Sequence, residues 1–378
     1  MIHNQTSLPS IFHVERRALE RVRDIFEEHG LSAGRAVILC GQNHSRDLAA
    51  TVAQQLEGAV VEIVQDYSEG EAARLRSLLA TLRATLIVAV GGGGVIDVAK
   101  RVSKLYGVSC LVVPSVVSND GLMSPISVLK TKADRFDSLP AAMPIGVIAD
   151  LDVVMSAPAQ YLRASGGDLL SNLSATTDWR HVVDRGDGPR MNDISYHLSR
   201  NSAETLVHWR DCDVENADFV RNLIIAQIYS GIAMSIAGTS RPCSGPEHLI
   251  SHALDELKLT PGVLHGVQVG SAGLFTLHLL DELSPAVVHF ATAMQIPCCW
   301  TDLLPDPGQA RSVLERARQV RPDRRTILDD FTDDQLLDEL GRFAEAVGDE
   351  PRHRDTRTRE AFSASGVLDK QVKGSRAA

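Results

Sequence analysis

The order of apolar and polar residues differs between the two halves of this chain. In the first 150 residues, short runs rich in Val, Ile and Leu alternate with stretches of helical spacing. The apolar runs cover 35–40, 59–64, 85–90, 109–113 and 145–148. The helical stretches include 45–56, 70–83 and 95–106. Because near-continuous apolar strands separated by helices are typical of a sheet covered on both faces, this half is predicted to be a doubly wound, mostly parallel α/β domain.

Beyond about residue 155 the strand-like runs nearly vanish and helical spacing dominates. The predicted helices cover 202–209, 217–237, 247–259, 269–283, 310–318 and 334–347. We therefore expect an α/β domain over 1–155, an all-α domain over 156–350 and a polar C-terminal tail over 351–378.

Charge and hydropathy narrow the classes of partner. The chain has 378 residues and a formal net charge of −10, whereas a general nucleic-acid binder needs a basic face. The N-terminal segment lacks the basic and apolar regions of a signal peptide. We find no apolar run that approaches the roughly 20 residues needed to span a membrane. We expect a cytoplasmic protein that binds a small molecule.

A run of four glycines marks the first candidate binding site. Residues 85–100 read TLIVAVGGGGVIDVAK, in which an apolar strand leads through Gly92, Gly93 and Gly94 into a helical pattern. Without Cβ atoms these residues let a diphosphate approach the backbone, and helix amides can donate to it. Asp97 is expected in the first helical turn, where a carboxylate suits the helix dipole. The order is not G-x-G-x-x-G, so the turn predicts a related dinucleotide or phosphate site, with a ligand-free glycine turn as the alternative.

Acidic and imidazole side chains recur in the helical half. Asp168 lies in SGGDLLSN, at the start of a predicted helix, and His248 and His252 are four residues apart in SGPEHLISHALDE. On a helix that spacing places both imidazoles on one face. His265 follows in PGVLHGVQVG, where we expect a loop after Pro and Gly. One carboxylate and two imidazoles suit a catalytic Zn²⁺ or Fe²⁺, whereas a single histidine is more often a core or surface residue.

Five motifs make the pattern specific. They are GGGGVIDVAK, VPSVVSNDGLMSPISVL (113–129), GGDLLSN, SRPCSGPEHLISHALD (240–255) and HGVQVG. In order and spacing the chain resembles the glycerol-1-phosphate dehydrogenase family, within the iron-containing alcohol dehydrogenase and dehydroquinate synthase-like superfamily, over about residues 10–345. The resemblance implies an NAD(P)-binding α/β domain, a helical metal- and substrate-binding domain, and a site in the cleft between them.

The resemblance also implies roles for single residues. Asp168, His248 and His265 match the metal ligands of the family. His252 matches a polar residue near the substrate and metal and is a candidate proton relay. Asp120 matches the acidic residue that contacts substrate hydroxyls in related glycerol enzymes, although the local sequence alone equally favours an Asn-Asp-Gly turn. The matching cofactor positions are Gly92, Gly93, Gly94, Asp97, Ser115 and Ser118.

The implied reaction is reversible hydride transfer between a nicotinamide and a secondary alcohol, with glycerol 1-phosphate and dihydroxyacetone phosphate as the pair. It requires NAD(H) or NADP(H) and one divalent metal, with zinc first and iron or nickel as alternatives. Because Gly41 stands where an acidic residue would contact the adenosine ribose, both cofactors fit. Arg180 and Arg241 are candidates to bind the substrate phosphate. The resemblance further implies a homo-oligomer.

Departures from the family pattern keep other substrates open. Gly94 stands where many members carry a larger residue, Pro246 replaces a small polar residue, and Val267 stands where HGEQVG has Glu. A dehydrogenase of another polyol, a cyclitol or a hydroxy-phosphonate is therefore the alternative. Sugar-phosphate cyclases similar to dehydroquinate synthase share the architecture but tend to carry Glu in place of Asp168. A nucleotide-binding module without chemistry would not need the Asp/His/His set.

Overall fold

The computed structural model describes residues 8–348 except 134, 189 and 305. The predicted tail over 351–378 lies outside the described residues. Eight strands are present in this part of the chain: β1 Ile11–Glu15, β2 Ala36–Cys40, β3 Val60–Ile63, β4 Leu86–Gly91, β5 Ser109–Pro114, β6 Ile126–Lys130, β7 Phe136–Pro140 and β8 Gly146–Asp150.

Six of the strands form one parallel sheet, in the order β1-β8-β5-β4-β2-β3. Both faces are buried: Val37 and Leu39 of β2 point into one hydrophobic cluster, and Ile38 and Cys40 point into another. Alternation within a fully buried strand explains why its sequence is continuously apolar. The prediction of a parallel α/β sheet covered on both faces is confirmed.

The sequence pattern did not predict three of the strands, β1, β6 and β7. β1, with the sequence IFHVE, is an edge strand in which Ile11 alone is buried, and His13 and Glu15 interrupt its apolar residues. β6 and β7 form an antiparallel hairpin whose exposed face mixes apolar residues, Val128 and Phe136, with polar ones such as Lys130 and Ser138. The strand that ends at Cys40 is therefore the second strand along the chain, not the first as expected.

The helices of the α/β part are α1 Val22–Glu28, α2 His44–Gln55, α3 Glu69–Leu82 and α4 Gly93–Tyr106. The C-terminal part is helical, and the described residues after Asp150 contain no strand. Its helices are α5 Leu151–Ser156, α6 Gln160–Asp184, α7 Asp193–Val207, α8 Ala217–Ala237, α9 Pro246–Glu256, α10 His265–Leu279, α11 Pro285–Ala293, α12 Trp300–Leu303, α13 Ala310–Val320 and α14 Asp333–Gly348. This confirms the predicted fold class.

Helix α8 corrects one expectation from hydropathy. Among the described helices it is long and apolar enough to cross a membrane, with a mean hydropathy of 1.3 over its best window. However, 61% of that window is buried, and the helix packs against α6, α7 and the sheet strand β1. It is therefore a helix of the protein core, because burial against other helices satisfies the same apolar surface.

The helices α6 and α10 cross at very short range. A Cβ atom on Gly266 would lie 1.9 Å from the carbonyl oxygen of Ala164, and one on Gly167 would lie 2.2 Å from the carbonyl oxygen of Gly266. Only glycine permits this approach of two backbones. The crossing sets the distance between two of the three helices that carry the candidate metal ligands.

Candidate active site

The structure brings the three predicted metal ligands together. Donor atoms of Asp168, His248 and His265 all lie within 4.8 Å of one another. The His265 Nε2 atom is 3.9 Å from Asp168 Oδ1, and the His248 and His265 ring centroids are 5.0 Å apart. The Asp168 side chain is 6% exposed and that of His265 is 35% exposed, so the cluster is open to solvent on one side.

Two of these residues occupy different places in their helices from those expected. Asp168 lies well inside α6, which begins at Gln160, and His265 is the first residue of α10 rather than part of a loop. The two glycines before Asp168 suggested a helix start, but Gly167 is required for the close crossing with α10. The helix α10 begins at His265 because Pro261 and Gly262 end the preceding turn only three residues earlier.

A buried carboxylate orients His248. Glu247 is completely buried, and its Oε1 atom lies 2.9 Å from His248 Nδ1. The same oxygen accepts a hydrogen bond from the Gly245 amide, and Oε2 accepts one from Ser174 Oγ at 2.9 Å. This arrangement directs the other ring nitrogen of His248 toward the cluster, as outer-shell carboxylates do for metal-binding histidines. The sequence analysis missed Glu247, although its position directly before His248 was a usable signal.

A second chain of hydrogen bonds holds His265. The His265 Nδ1 atom lies 3.1 Å from Ser251 Oγ, which donates to Gln268 Oε1 at 2.6 Å. Gln268 in turn donates to Asp255 Oδ1 and Thr260 Oγ1. The ring is therefore fixed from behind, with Nε2 facing Asp168.

The electrostatics of the cluster suit a cation. Burial lowers the pKa of each of His248 and His265 to about 3, so both rings stay neutral with a free lone pair at neutral pH. Burial and the neighbouring Asp120 raise the pKa of Asp168 well above its ordinary value. Lys100 only partly offsets the charge of Asp120, and a buried carboxylate pair is unfavourable without further positive charge. The donor set and its charge fit a divalent transition metal.

Asp120 lies directly beside the cluster. Its backbone amide donates to Asp168 Oδ2 at 3.0 Å, and its own Oδ2 accepts a hydrogen bond from Ser230 Oγ at 2.8 Å. Burial raises the pKa of Asp120 to about 6, with Ser230 opposing the shift. The Asn119 side chain accepts from the Gly121 amide, so the expected turn is formed as well. The Asn-Asp-Gly turn therefore holds Asp120 next to Asp168, so the turn and a position beside the cluster are compatible.

His252 is near the cluster but is not one of its three donors. It lies on α9 one turn after His248, with its ring centroid 6.5 Å from that of His265. Burial, followed by the two neighbouring histidines, lowers the pKa of His252 to about 3. It is therefore placed to exchange a proton at the edge of the cluster, and this role remains a prediction.

The glycine run lies at the carboxyl edge of the sheet. Gly92 caps α4 and Gly93 begins it, directly after β4. The Ser115 amide donates to the Gly91 carbonyl at 3.0 Å, which joins the ends of β4 and β5. Ser115 is buried and Ser118 is half-buried in the segment that follows β5. Because β2 and β4 are adjacent where the strand order reverses, this edge is where open α/β sheets bind nucleotides.

Gly94 and Asp97 have neighbours that the sequence did not reveal. A Cβ atom on Gly94 would lie 2.9 Å from the ring of Tyr67, so this tyrosine occupies the space of a larger residue. Asp97 lies beyond the first turn of α4 expected for it, and its oxygens contact Lys100 Nζ at 3.0 Å and the Val128 amide at 3.1 Å. These contacts connect α4 to β6 through the Asp97 side chain. The cofactor contact of Asp97 stays a prediction.

The two arginines proposed for phosphate binding are already engaged. Arg180 stacks on the ring of Tyr196, with 4.5 Å between its guanidinium carbon and the ring centroid. Arg241 pairs with the buried Asp178 at 2.8 Å. One guanidinium nitrogen of Arg241, Nη1, is nonetheless buried without a hydrogen-bond partner among the described residues.

Two other arginines, Arg321 and Arg324, lie against the histidine side of the site. Arg324 donates to Ser244 and Ser240, at 2.6 Å to the Ser244 carbonyl, and Arg321 lies 3.5 Å from Ser240 Oγ. Within the described ranges neither guanidinium has a carboxylate oxygen at ion-pair distance. Burial, then Arg321 and Arg241, lower the pKa of Arg324 to about 9. Their positive charge in turn contributes to the low pKa of His248.

The sequence of this chain is similar to those of known proteins. Residues 13–158 match the family model of iron-containing alcohol dehydrogenases. Curated glycerol-1-phosphate dehydrogenases [NAD(P)⁺] are similar over most of the chain. The protein of Pyrobaculum neutrophilum is 34% identical over 83% of this chain and 90% of its own length. The protein of Thermococcus kodakarensis is 39% identical over 64% of this chain and 68% of its own.

Solved structures share the fold. Glycerol dehydrogenase from Schizosaccharomyces pombe has a TM-score of 0.73 at 20% identity, covering 91% of this chain and 93% of that one. A probable glycerol dehydrogenase from Sinorhizobium meliloti has a TM-score of 0.71 at 22% identity, covering 90% and 98%. The chain therefore belongs to the glycerol-1-phosphate dehydrogenase family of the iron-containing alcohol dehydrogenases, and it is an NAD(P)-dependent alcohol dehydrogenase.

Proposed function

We propose that the substrate pair is glycerol 1-phosphate and dihydroxyacetone phosphate, interconverted with NAD(H) or NADP(H) at a site that requires a divalent metal. The relatives that carry this activity in their names support the proposal. The observation that carries it is the pair Arg321 and Arg324, which lies beside His248 without an ion-pair partner of its own.

A half-buried guanidinium without a carboxylate is costly, because it has lost water without gaining a counter-charge. Arg324 meets three neutral oxygen atoms of serines, and its nearest acidic neighbours, Glu247 and Asp178, act on it only from a distance. A phosphate monoester would supply the missing charge and accept several hydrogen bonds at once. An unphosphorylated polyol such as glycerol would leave both arginines uncompensated.

Three residues would hold the metal, and two others would fix their orientation. Asp168, His248 and His265 would hold the metal, with Glu247 and Ser251 fixing the two rings. When bound, the metal supplies a Lewis acid and the nicotinamide supplies or accepts the hydride.

The other predicted site residues would bind substrate and cofactor. The glycines at 92–94 would contact the cofactor diphosphate, with Ser115 and Ser118 beside them. Asp120 would accept a hydrogen bond from a substrate hydroxyl, and His252 would pass a proton between solvent and the substrate oxygen. We also propose that residues 1–155 and 156–350 act as two domains with the substrate between them. Since Gly41 excludes neither form of the cofactor, both remain in the proposal.

The test compares two ketones that differ by one phosphate group. Zinc-reconstituted protein is given NADH or NADPH with dihydroxyacetone phosphate or with dihydroxyacetone, and loss of nicotinamide absorbance is followed. We expect rapid turnover of the phosphorylated ketone. In Arg324→Gln and Arg321→Gln, kcat/KM for that ketone should fall by about 10–100-fold, the worth of charge-assisted hydrogen bonds. The slow reaction of dihydroxyacetone should change little.

The adjacent Arg325→Gln is the matched control, because Arg325 is exposed and pairs loosely with Asp329 at 3.8 Å. It should retain the wild-type preference. Equal losses on both ketones in Arg324→Gln would mean that the arginine supports the fold and not the phosphate. A wild-type protein that holds metal and cofactor but reduces neither ketone would overturn the substrate assignment in favour of another polyol or a cyclitol.

A further inference from the structure

The second cluster of metal-ligating side chains lies on the α/β part, at the edge strand β1. We infer that His13, Glu28 and His29 form a binding site for a divalent transition metal that shares no residue with the Asp168 cluster. Donor atoms of these three side chains all lie within 4.8 Å of one another. His13 belongs to β1, Glu28 is the last residue of α1, and His29 follows it.

The two imidazoles face each other as ligands of one ion would. Their Nε2 atoms are 3.2 Å apart, and the rings meet edge to face, with centroids separated by 5.5 Å and planes inclined by 83°. Two nitrogens that each lie about 2.0–2.1 Å from a tetrahedral zinc are separated by roughly 3.3 Å. The observed Nε2–Nε2 separation of 3.2 Å is close to one edge of such a tetrahedron, so the two nitrogens are already at the spacing that one shared ion requires.

Charged groups surround this cluster. The other ring nitrogen of His13, Nδ1, lies 3.6 Å from Glu15 Oε1, in the position of a carboxylate behind a metal-binding histidine. Arg21 connects the two acids, at 2.8 Å from Glu15 and 3.2 Å from Glu28. Two carboxylates and one guanidinium leave one net negative charge beside two imidazoles, which favours a cation at this place.

The chemistry of the donors defines the metal class. Two imidazoles and one carboxylate suit Zn²⁺, Ni²⁺ or Cu²⁺, whereas Mg²⁺ and Ca²⁺ prefer oxygen ligands throughout. A bound ion would join β1 to the end of α1, across 16 residues of chain. Since β1 pairs with β8 alone in the sheet, such a link would stabilise an edge strand.

The test counts zinc per chain. Full-length protein is stripped with a chelator, dialysed against Zn²⁺ alone, and its total bound metal is measured together with its melting temperature. We expect two equivalents in the wild type and one in His29→Gln, which should keep wild-type dehydrogenase activity. His248→Ala should also hold one equivalent, and the double variant none. The melting temperature of His29→Gln should rise less on zinc addition than that of the wild type.

His289→Gln is the control, because His289 is an exposed histidine outside both clusters and should leave two equivalents bound. A His29→Gln protein that binds as much zinc as the wild type overturns the inference. So does a wild type that binds a single equivalent which His248→Ala abolishes. Because the count in His29→Gln does not depend on His248→Ala folding, a failed active-site variant still leaves the inference decided.

Discussion

Two clusters in this molecule offer the same donors, two imidazoles and one carboxylate, in opposite surroundings. In the Asp168 cluster the carboxylate side chain is 6% exposed, and three helices contribute one ligand each. In the His13 cluster the Glu28 side chain is 51% exposed, and one strand and one helix end supply all three ligands. The first is built by distant parts of the chain and the second by neighbours.

This difference teaches which features mark a catalytic metal site. Burial makes an added cation favourable in the Asp168 cluster, because carboxylates without a counter-charge are unfavourable away from water. In the His13 cluster, Arg21 pairs with Glu15 and Glu28, and both carboxylates are partly exposed to water. A metal there would add stability, but the charges are partly compensated without it. The donor set alone does not separate a catalytic site from a structural one, whereas burial and the groups behind the ligands do.

The largest effect should follow from removing a ligand of the buried cluster. His248→Ala should abolish zinc binding at that cluster and reduce dehydrogenase activity by more than the roughly 10–100-fold that an outer-shell loss costs.

His252→Gln, one turn along α9, should retain the metal and lose about 100-fold in kcat through slower proton transfer. Metal analysis and steady-state kinetics on both variants check the pair. If His252→Gln also lost its metal, His252 would be a ligand and not a relay.

A smaller effect should come from the group behind His248. In Glu247→Gln the side chain keeps its shape but loses the charge that His248 Nδ1 and the Gly245 amide face. Zinc affinity of the buried cluster should fall by about 10–100-fold, as measured by competition with a chelator. The matched change behind the surface cluster, Glu15→Gln, should weaken zinc binding less, because the distance to His13 Nδ1 is 3.6 Å. Equal losses would remove the distinction between the two clusters.

The sequence was sufficient for most of the fold because its strands are buried on both faces. Residues such as Val37 and Ile38 face opposite hydrophobic clusters, so the run is apolar throughout and easily recognised. The edge strand β1 and the hairpin of β6 and β7 expose one side to solvent or to the site, and their mixed patterns gave no signal. The edge strand β3 was found all the same, because its sequence VVEI lies in a nearly continuous apolar run. Unbroken apolar composition, rather than position in the sheet, decided which strands were found.

The site was predictable in its chemistry but not in its geometry. The ligand types were visible in the motifs, yet Asp168 lies inside a helix because glycines around it serve a helix crossing. Arg321 and Arg324 were missed because the segment RPDRR resembles ordinary surface charge. Their proximity to His248 arises from the packing of α13 against α9, which no local pattern encodes. Tertiary contacts of this kind require coordinates.

The crossing of α6 and α10 provides the third way to separate the two clusters. Gly266→Ala would place a Cβ atom 1.9 Å from the Ala164 carbonyl, so α10 would have to move away from α6 and carry His265 with it. We expect a loss of about 1–3 kcal/mol in the free energy of unfolding, typical of overpacking, and weaker zinc binding at the Asp168 cluster. Urea denaturation and zinc titration measure the two effects.

Gly341→Ala is the matched control, because nothing lies within 4 Å of a Cβ atom there and the residue is exposed within α14. It should be neutral or stabilise by about 0.5–1 kcal/mol, since alanine favours a helix interior. In Gly266→Ala the His13 cluster should still bind zinc as in the wild type, because neither β1 nor α1 takes part in the crossing. Weaker zinc binding at both clusters would instead indicate that the substitution loosens the whole protein, and the helix crossing would lose its specific role in placing His265.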